Sequence, residues 1–212
     1  MLVQPTQRDH ALALLSRQGL VRLSEFIAAG VTAATVTRML AAGEVAKLGR
    51  GLYQLPDAAA DANQDLAQVA KMVPGGVICL TSALAFHELT DTVPSRVWLA
   101  IGLRDRKPSM SWPALQVVRF REPLLRSGVE THMIAGVTVT VTNPAKTVVD
   151  LFRYRQPAGR RYRVSPGLGL AIEGLREVLR QRKATPAEIA RYAEAGGIWK
   201  VMRPYLEALS HG

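Results

Sequence analysis

The sequence has a single cysteine, Cys79, among 212 residues, so no intramolecular disulfide can form. One thiol and four scattered histidines also exclude the common zinc-finger spacings. Cys79 lies in the apolar run Val77–Leu80, where a buried, inert thiol is expected rather than a nucleophile. Apolar runs of membrane-spanning length are missing, and the opening MLVQPTQRDH does not read as a signal peptide. A cytoplasmic protein is therefore expected. Acidic residues are scarce: 17 Asp and Glu face 27 Lys and Arg, for a formal charge of +10. That imbalance points to a polyanionic partner. A hydrophobic content of 48% argues against disorder as the main state and leaves room for a substantial core.

The surplus charge is uneven. Residues 1–56 carry six basic and three acidic side chains, and residues 57–110 carry five and six. Residues 111–212 carry sixteen and eight, a net of +8, so the C-terminal half holds most of the excess.

Several chemistries lack their motifs. His87-Glu88 begins like a zinc-protease helix, but the chain continues Leu-Thr-Asp91 and the second histidine one turn on is absent. Gly167-Leu-Gly169 lacks the third glycine of a dinucleotide loop and follows no clear strand. There is no Walker sequence and no Gly-x-Ser-x-Gly elbow. Asp150 is a solitary carboxylate on a predicted helix, a pattern that suits a cap or an ion pair. A metal nuclease would need several converging acids, and the spacing of Asp150, Glu173 and Glu177 does not demand that. No catalytic residue, metal ligand or cofactor is assigned, and the protein is not expected to be an enzyme.

The informative stretch is Val21–Leu55. It reads as a short helix with Ser24 at its N-cap, a turn at Gly30, and a second helix opening at Thr32. Val36, Met39 and Leu40 recur at helical spacing as a buried stripe, leaving Thr32, Thr35, Thr37 and Arg38 on the outer face. Two strand-like runs, Val45–Leu48 and Leu52–Leu55, flank Gly49-Arg50-Gly51, a tight turn with an arginine at its tip. Residues 6–18 form a helix capped by Thr6 and complete a three-helix unit. This is the order of a winged helix-turn-helix, with the second helix of the motif in a major groove and the wing on the backbone. A small helical module that binds protein is the competing reading.

Beyond Pro56 the chain reads as a larger α/β domain. A helix over Asp65–Val73 stops at Pro74-Gly75-Gly76, and a second starts near Thr81. Strands follow over Arg96–Leu103, Leu115–Phe120 and Val137–Thr142, the last alternating valine and threonine. Asn143-Pro144 caps a helix to Tyr154. Residues 153–163, RYRQPAGRRYR, hold five arginines and no acid, interleaved with Tyr154 and Tyr162. Charge runs are often merely solvated, but arginine forks with adjacent tyrosines also suit phosphates and bases. Three helices close the chain, about Leu168–Arg180, Pro186–Ala195 and Lys200–Leu209, the middle one opened by the capping box Thr185–Glu188.

Three blocks resemble the AbiEi-type antitoxins of bacterial type IV toxin–antitoxin systems. They are the winged helix ending in Gly49-Arg-Gly-Leu-Tyr53, the run Ile78–Thr90 with Pro94 and the strand Val97–Ile101, and the block VTNPAKTVVDLF over 141–152. The resemblance implies a two-domain transcriptional repressor. Its N-terminal domain would bind inverted repeats upstream of its own operon, and its C-terminal domain would serve antitoxicity and cooperative repression. The paired toxin would be a nucleotidyltransferase-like protein, countered without a stable complex. No family residue is catalytic.

The expectation is thus an α/β protein, a winged helix-turn-helix over 1–56 followed by a mixed α/β domain over 63–212 with C-terminal helices. Its partner would be double-stranded DNA carrying an inverted-repeat operator, bound by two copies. Thr32, Ala33, Thr35 and Arg38 would read DNA from the recognition helix, Arg38 foremost, while Lys47 and Arg50 on the wing touch phosphate. Arg153, Arg155, Arg160, Arg161 and Arg163 would add phosphate contacts. The alternatives are a basic module that binds RNA or a protein, and a metal-dependent nuclease.

Overall fold

A computed structural model describes residues 5–58, 61–156 and 165–210. The fold is mixed α/β, with ten helices and eight strands among the described residues, and it divides into two compact units. The first comprises residues 1–74, 108–113 and 133–139. The second comprises residues 75–107, 114–132 and 140–212.

The first unit opens with α1 (Gln7–Gln18). Thr6 Oγ1 accepts from the Asp9 amide at 3.2 Å and Asp9 Oδ2 accepts from the Thr6 amide at 2.9 Å, a reciprocal capping box. The chain then forms β1 (Val21–Arg22), a strand that the sequence does not announce. Two residues carry too little periodicity to announce a strand, and β1 exists because it pairs antiparallel with β3. Helix α2 (Leu23–Ala28) is therefore capped at Arg22, and Ser24 lies inside it. Glu25 Oε2 accepts from the Arg22 amide at 2.6 Å, which supplies the cap that Ser24 was expected to give. Helix α3 (Ala33–Ala41) is capped by Thr32, whose Oγ1 accepts from the Thr35 amide at 3.3 Å. Strands β2 (Ala46–Gly49) and β3 (Leu52–Gln54) form the expected hairpin, with Gly51 at φ +69° in its turn. The sheet order is β1-β3-β2.

Phe26, Leu15, Val36 and Met39 make the centre of this core, with the Phe26 and Tyr53 rings edge to face at 5.9 Å. Leu40, expected in the buried stripe, is only half-buried. Helix α4 (Gln64–Met72) also belongs to this unit.

Most of a five-stranded sheet ordered β6-β5-β4-β8-β7 belongs to the second unit, while residues 133–139 at the β7–β8 turn count with the first. The strands of this sheet are β4 (Val77–Ile78), β5 (Val97–Gly102), β6 (Leu115–Phe120), β7 (Val129–Ile134) and β8 (Val137–Thr142). Strand β4 is central, parallel to β8 and antiparallel to β5, while β5 runs parallel to β6. Burial on both faces explains why Val77 and Ile78 are apolar. Strand β8 buries Val137, Val139 and Val141 as its alternation requires.

Helix α5 (Leu80–Phe86) follows β4, and α6 (Glu122–Arg126) follows β6. Neither α6 nor β7 was expected, α6 because five residues are too few to show a period. Helix α7 (Pro144–Arg153) is capped by Asn143, whose Oδ1 accepts from the Lys146 amide at 2.8 Å. It packs on α5, α8 (Leu168–Arg180) and α9 (Pro186–Ala195), and α10 (Trp199–Ser210) closes the bundle. At Gly174 a Cβ would come within 2.8 Å of Leu84 Cδ1, so the backbone of α8 lies close against α5. Helix α8 buries Ala171, Gly174, Leu175 and Val178, while Ile172 and Leu179 are half-buried. Among the described residues no helix is long and apolar enough to cross a membrane.

Candidate nucleic-acid interface

Helix α3 exposes Ala34, Thr37, Arg38 and Ala41 along one side, and Thr32 and Ala33 at its start. Thr35 does not belong to that exposed set. It is 7% exposed, and its hydroxyl donates to Gln7 Oε1 at 2.8 Å. The reason is a contact from α1 that spacing within α3 cannot reveal. Gln7 Oε1 also accepts from the Thr32 amide and lies 3.1 Å from the Thr32 hydroxyl. The amide donor fixes which end of the Gln7 side chain faces α3. Arg38 Nη2 then donates to Thr35 Oγ1 at 3.1 Å. Thr35 is thus a positioning residue for Arg38, and Gln7 is a member of the site that sequence reasoning missed. A polar residue at the first turn of α1 carries no signal that it reaches α3.

The electrostatics of this face follow from its acids. Asp9 is taken up by the α1 cap, which holds its carboxyl below the usual range through the Thr6 hydroxyl and amide. Glu25 pairs with Lys71 Nζ at 2.8 Å. Glu44, beside the end of α3, pairs with Arg8 Nε at 2.8 Å. None of Arg38, Lys47 and Arg50 pairs with a carboxylate among the described residues, and all three are exposed. Glu25 and Glu44 are each paired with a cation, the cap holds Asp9 ionised, and the cations of α3 and of the β2–β3 hairpin stay open. An open cleft of about 490 Å³ lies over Gln7, Thr32, Thr35 and Arg38.

The arginine run behaves differently. Arg153 is half-buried and donates from Nη2 to the Gly196 carbonyl. Arg155 Nη1 donates to the Phe152 carbonyl at 2.8 Å. Both guanidinium groups donate to backbone oxygens near the end of α7, and both residues are half-buried. Arg160, Arg161 and Arg163 lie outside the described residues.

Residues 11–56 match the family model of the AbiEi antitoxin transcriptional regulators. The AbiEi match covers most of α1, then α2, α3 and the β2–β3 hairpin, and it ends before the Ile78–Thr90 and 141–152 blocks. No curated protein matches the chain in sequence. Among solved structures, the chain is similar to the Rv2827c protein from Mycobacterium tuberculosis. The TM-score is 0.54 at 15% identity, over 90% of this chain and 72% of that one, a likeness of fold alone.

Outside the AbiEi-matched segment, Asp150, Cys79 and His87 are each buried, and Asp150 and His87 are partnered. Asp150 is 1% exposed and paired with the equally buried Lys146 one turn earlier on α7. Burial pushes the Asp150 carboxyl up and the Lys146 ammonium pulls it back down. Lys146 Nζ also lies 4.8 Å from the centre of the Phe120 ring. Asp150 is therefore an ion-pair partner, one of the two roles its solitary position suggested. Cys79 is fully buried, and burial raises its thiol well above the ordinary value, as expected for an inert cysteine. His87 packs at the end of α5 with Nε2 at 2.7 Å from the Thr142 carbonyl. No group of three or more metal-ligating side chains occurs among the described residues.

Proposed function

We propose that this protein is a transcriptional repressor that binds a specific duplex DNA sequence through a winged helix-turn-helix. Helix α3 enters the major groove with Arg38 directed at a base, and Thr32 and Ala33 stand where the helix start meets the backbone. Lys47 and Arg50 hold the wing on phosphate. Two copies occupy an inverted-repeat operator, and the operon encodes the repressor itself. Within a type IV system the protein is the antitoxin to a nucleotidyltransferase-like toxin and opposes it without a stable complex.

The observation that supports this reading best is the pre-set Arg38. An exposed arginine in the middle of a recognition helix, oriented by a buried threonine and opposed by no acid, suits bidentate readout of guanine. The test is binding to the DNA upstream of its own gene against a scrambled duplex of equal length, at about 150 mM salt. A preference of about a thousandfold or more is the expected result. Equal binding to both would leave only a polyanion-binding surface.

The net +8 of residues 111–212 favours a second reading, a basic module for RNA or a protein. Equal affinity for single-stranded RNA and duplex DNA would support it.

A further inference from the structure

Within the first unit a second cleft lies beneath the wing tip. It encloses about 210 Å³ and is lined by Arg50, Gln68, Met72, Met110 and Trp112, among others. That is below the roughly 300–1,000 Å³ that drug-sized ligands occupy, and suits a nucleobase-sized ring system whose substituents stay at the open mouth. Gln68 is the informative member. It is 5% exposed, and nothing among the described residues hydrogen-bonds its side chain. Its amide offers two donors and an acceptor, and these polar atoms are not sealed from solvent but open to the cleft that Gln68 lines. It lines the cleft, where an incoming molecule would meet it. The walls add two methionines and an indole that is 60% exposed, unusual for a tryptophan with nothing to cover it. At the same cleft stands Arg50, whose guanidinium faces no carboxylate among the described residues.

We propose that this cleft binds a 5′-mononucleotide. The base lies against Trp112 and the methionines, its hydrogen-bonding edge pairs with the Gln68 amide, and its phosphate meets Arg50. Each part answers a different chemistry: an aromatic face for a ring, an amide for a donor–acceptor edge, a guanidinium fork for a phosphate. Arg50 is also the wing residue assigned to DNA phosphate, so the nucleotide and the duplex compete for it. That regulatory half rests on the proposed DNA-binding function, and the pocket itself does not.

The test uses the full chain without DNA, titrated calorimetrically with AMP, GMP, CMP and UMP in turn. One of the four is expected to bind with a Kd at or below about 100 µM. Gln68→Leu, which keeps the volume and removes the amide, should weaken it at least about tenfold while thermal stability is held or raised. Trp112→Phe should abolish quenching of tryptophan fluorescence by the nucleotide while calorimetric binding persists. If none of the four binds at about 1 mM, or if Gln68→Leu binds as well as the parent, the cleft holds only water and the proposal falls. With the duplex then added, a weaker apparent DNA affinity in the presence of the nucleotide supports the competition. An unchanged affinity overturns that half and leaves the pocket. Absence of any specific DNA binding would overturn the proposed function without touching the calorimetric result.

Discussion

The Arg38 guanidinium donates to the Thr35 hydroxyl at 3.1 Å, and that hydroxyl in turn donates to Gln7 on another helix. The chain Gln7–Thr35–Arg38 holds an exposed cation through a buried threonine. A flexible arginine loses rotamer freedom on binding DNA, and a tethered one has lost part of it beforehand.

Thr35→Val keeps the shape and removes the hydroxyl. Specific affinity for the operator should fall about tenfold, the worth of one hydrogen bond to a charged group. Arg38→Ala should lower it by about 1–3 kcal/mol and relax the preference at one base pair. Operator titrations with single-base variants would check both. If Thr35→Val loses as much affinity for scrambled DNA as for the operator, its role is not the orientation of Arg38.

The buried pair Lys146–Asp150 makes a separate claim on stability. Lys146→Met should destabilise the protein by about 3–5 kcal/mol, because Asp150 is left charged or must take up a proton inside the core. Asp150→Leu alone should cost a similar amount. The double variant should recover most of the loss, since two apolar side chains fill the same space without the burden of desolvation. Urea unfolding of all four proteins would decide it, and additive losses would refute the pairing.

His87 links stability to pH. Its burial lowers the imidazole pKa from 6.5, outweighing the Thr142 carbonyl and Glu130, which raise it, while His132 and Lys183 lower it further. The neutral ring donates Nε2–H to that carbonyl. The unfolded chain therefore takes up a proton first as pH falls. Stability is fully present above about pH 6.5 and is lost as pH drops through the depressed folded value. Melting temperature should fall between about pH 7 and pH 5, and His87→Gln should flatten that slope. An unaltered slope in the variant would assign the titration to another group.

Local chemistry carried much of this in the sequence. Thr6, Asn143 and Thr185 are legible as caps because the side chain that closes each helix sits next to it. The valine–threonine alternation of β8 is legible for the same reason, since its period is its own. What escaped depends on distant partners. Strand β1 exists only through β3, and Thr35 is buried only because Gln7 comes from α1. The Lys146–Asp150 spacing reads as an ordinary surface pair, and only the packing of α5, α8 and α9 around α7 takes it out of water. Gln68 looks like any polar residue on an amphipathic helix.

The chain contributes three separate segments to each unit, so it changes unit at five junctions. Excision is the practical consequence. A fragment ending near Pro56 would keep the AbiEi-matched residues and discard Gln64–Met72, Pro108–Pro113 and Met133–Val139. It would lose the backbone of Ala135, whose oxygen lies where a Cβ on Gly19 would stand, at 2.1 Å. It would also lose Gln68 and Trp112. A fragment cut there is thus a different object from the same residues in the whole protein, and weak DNA binding by it would not by itself count against the proposed contacts on α3.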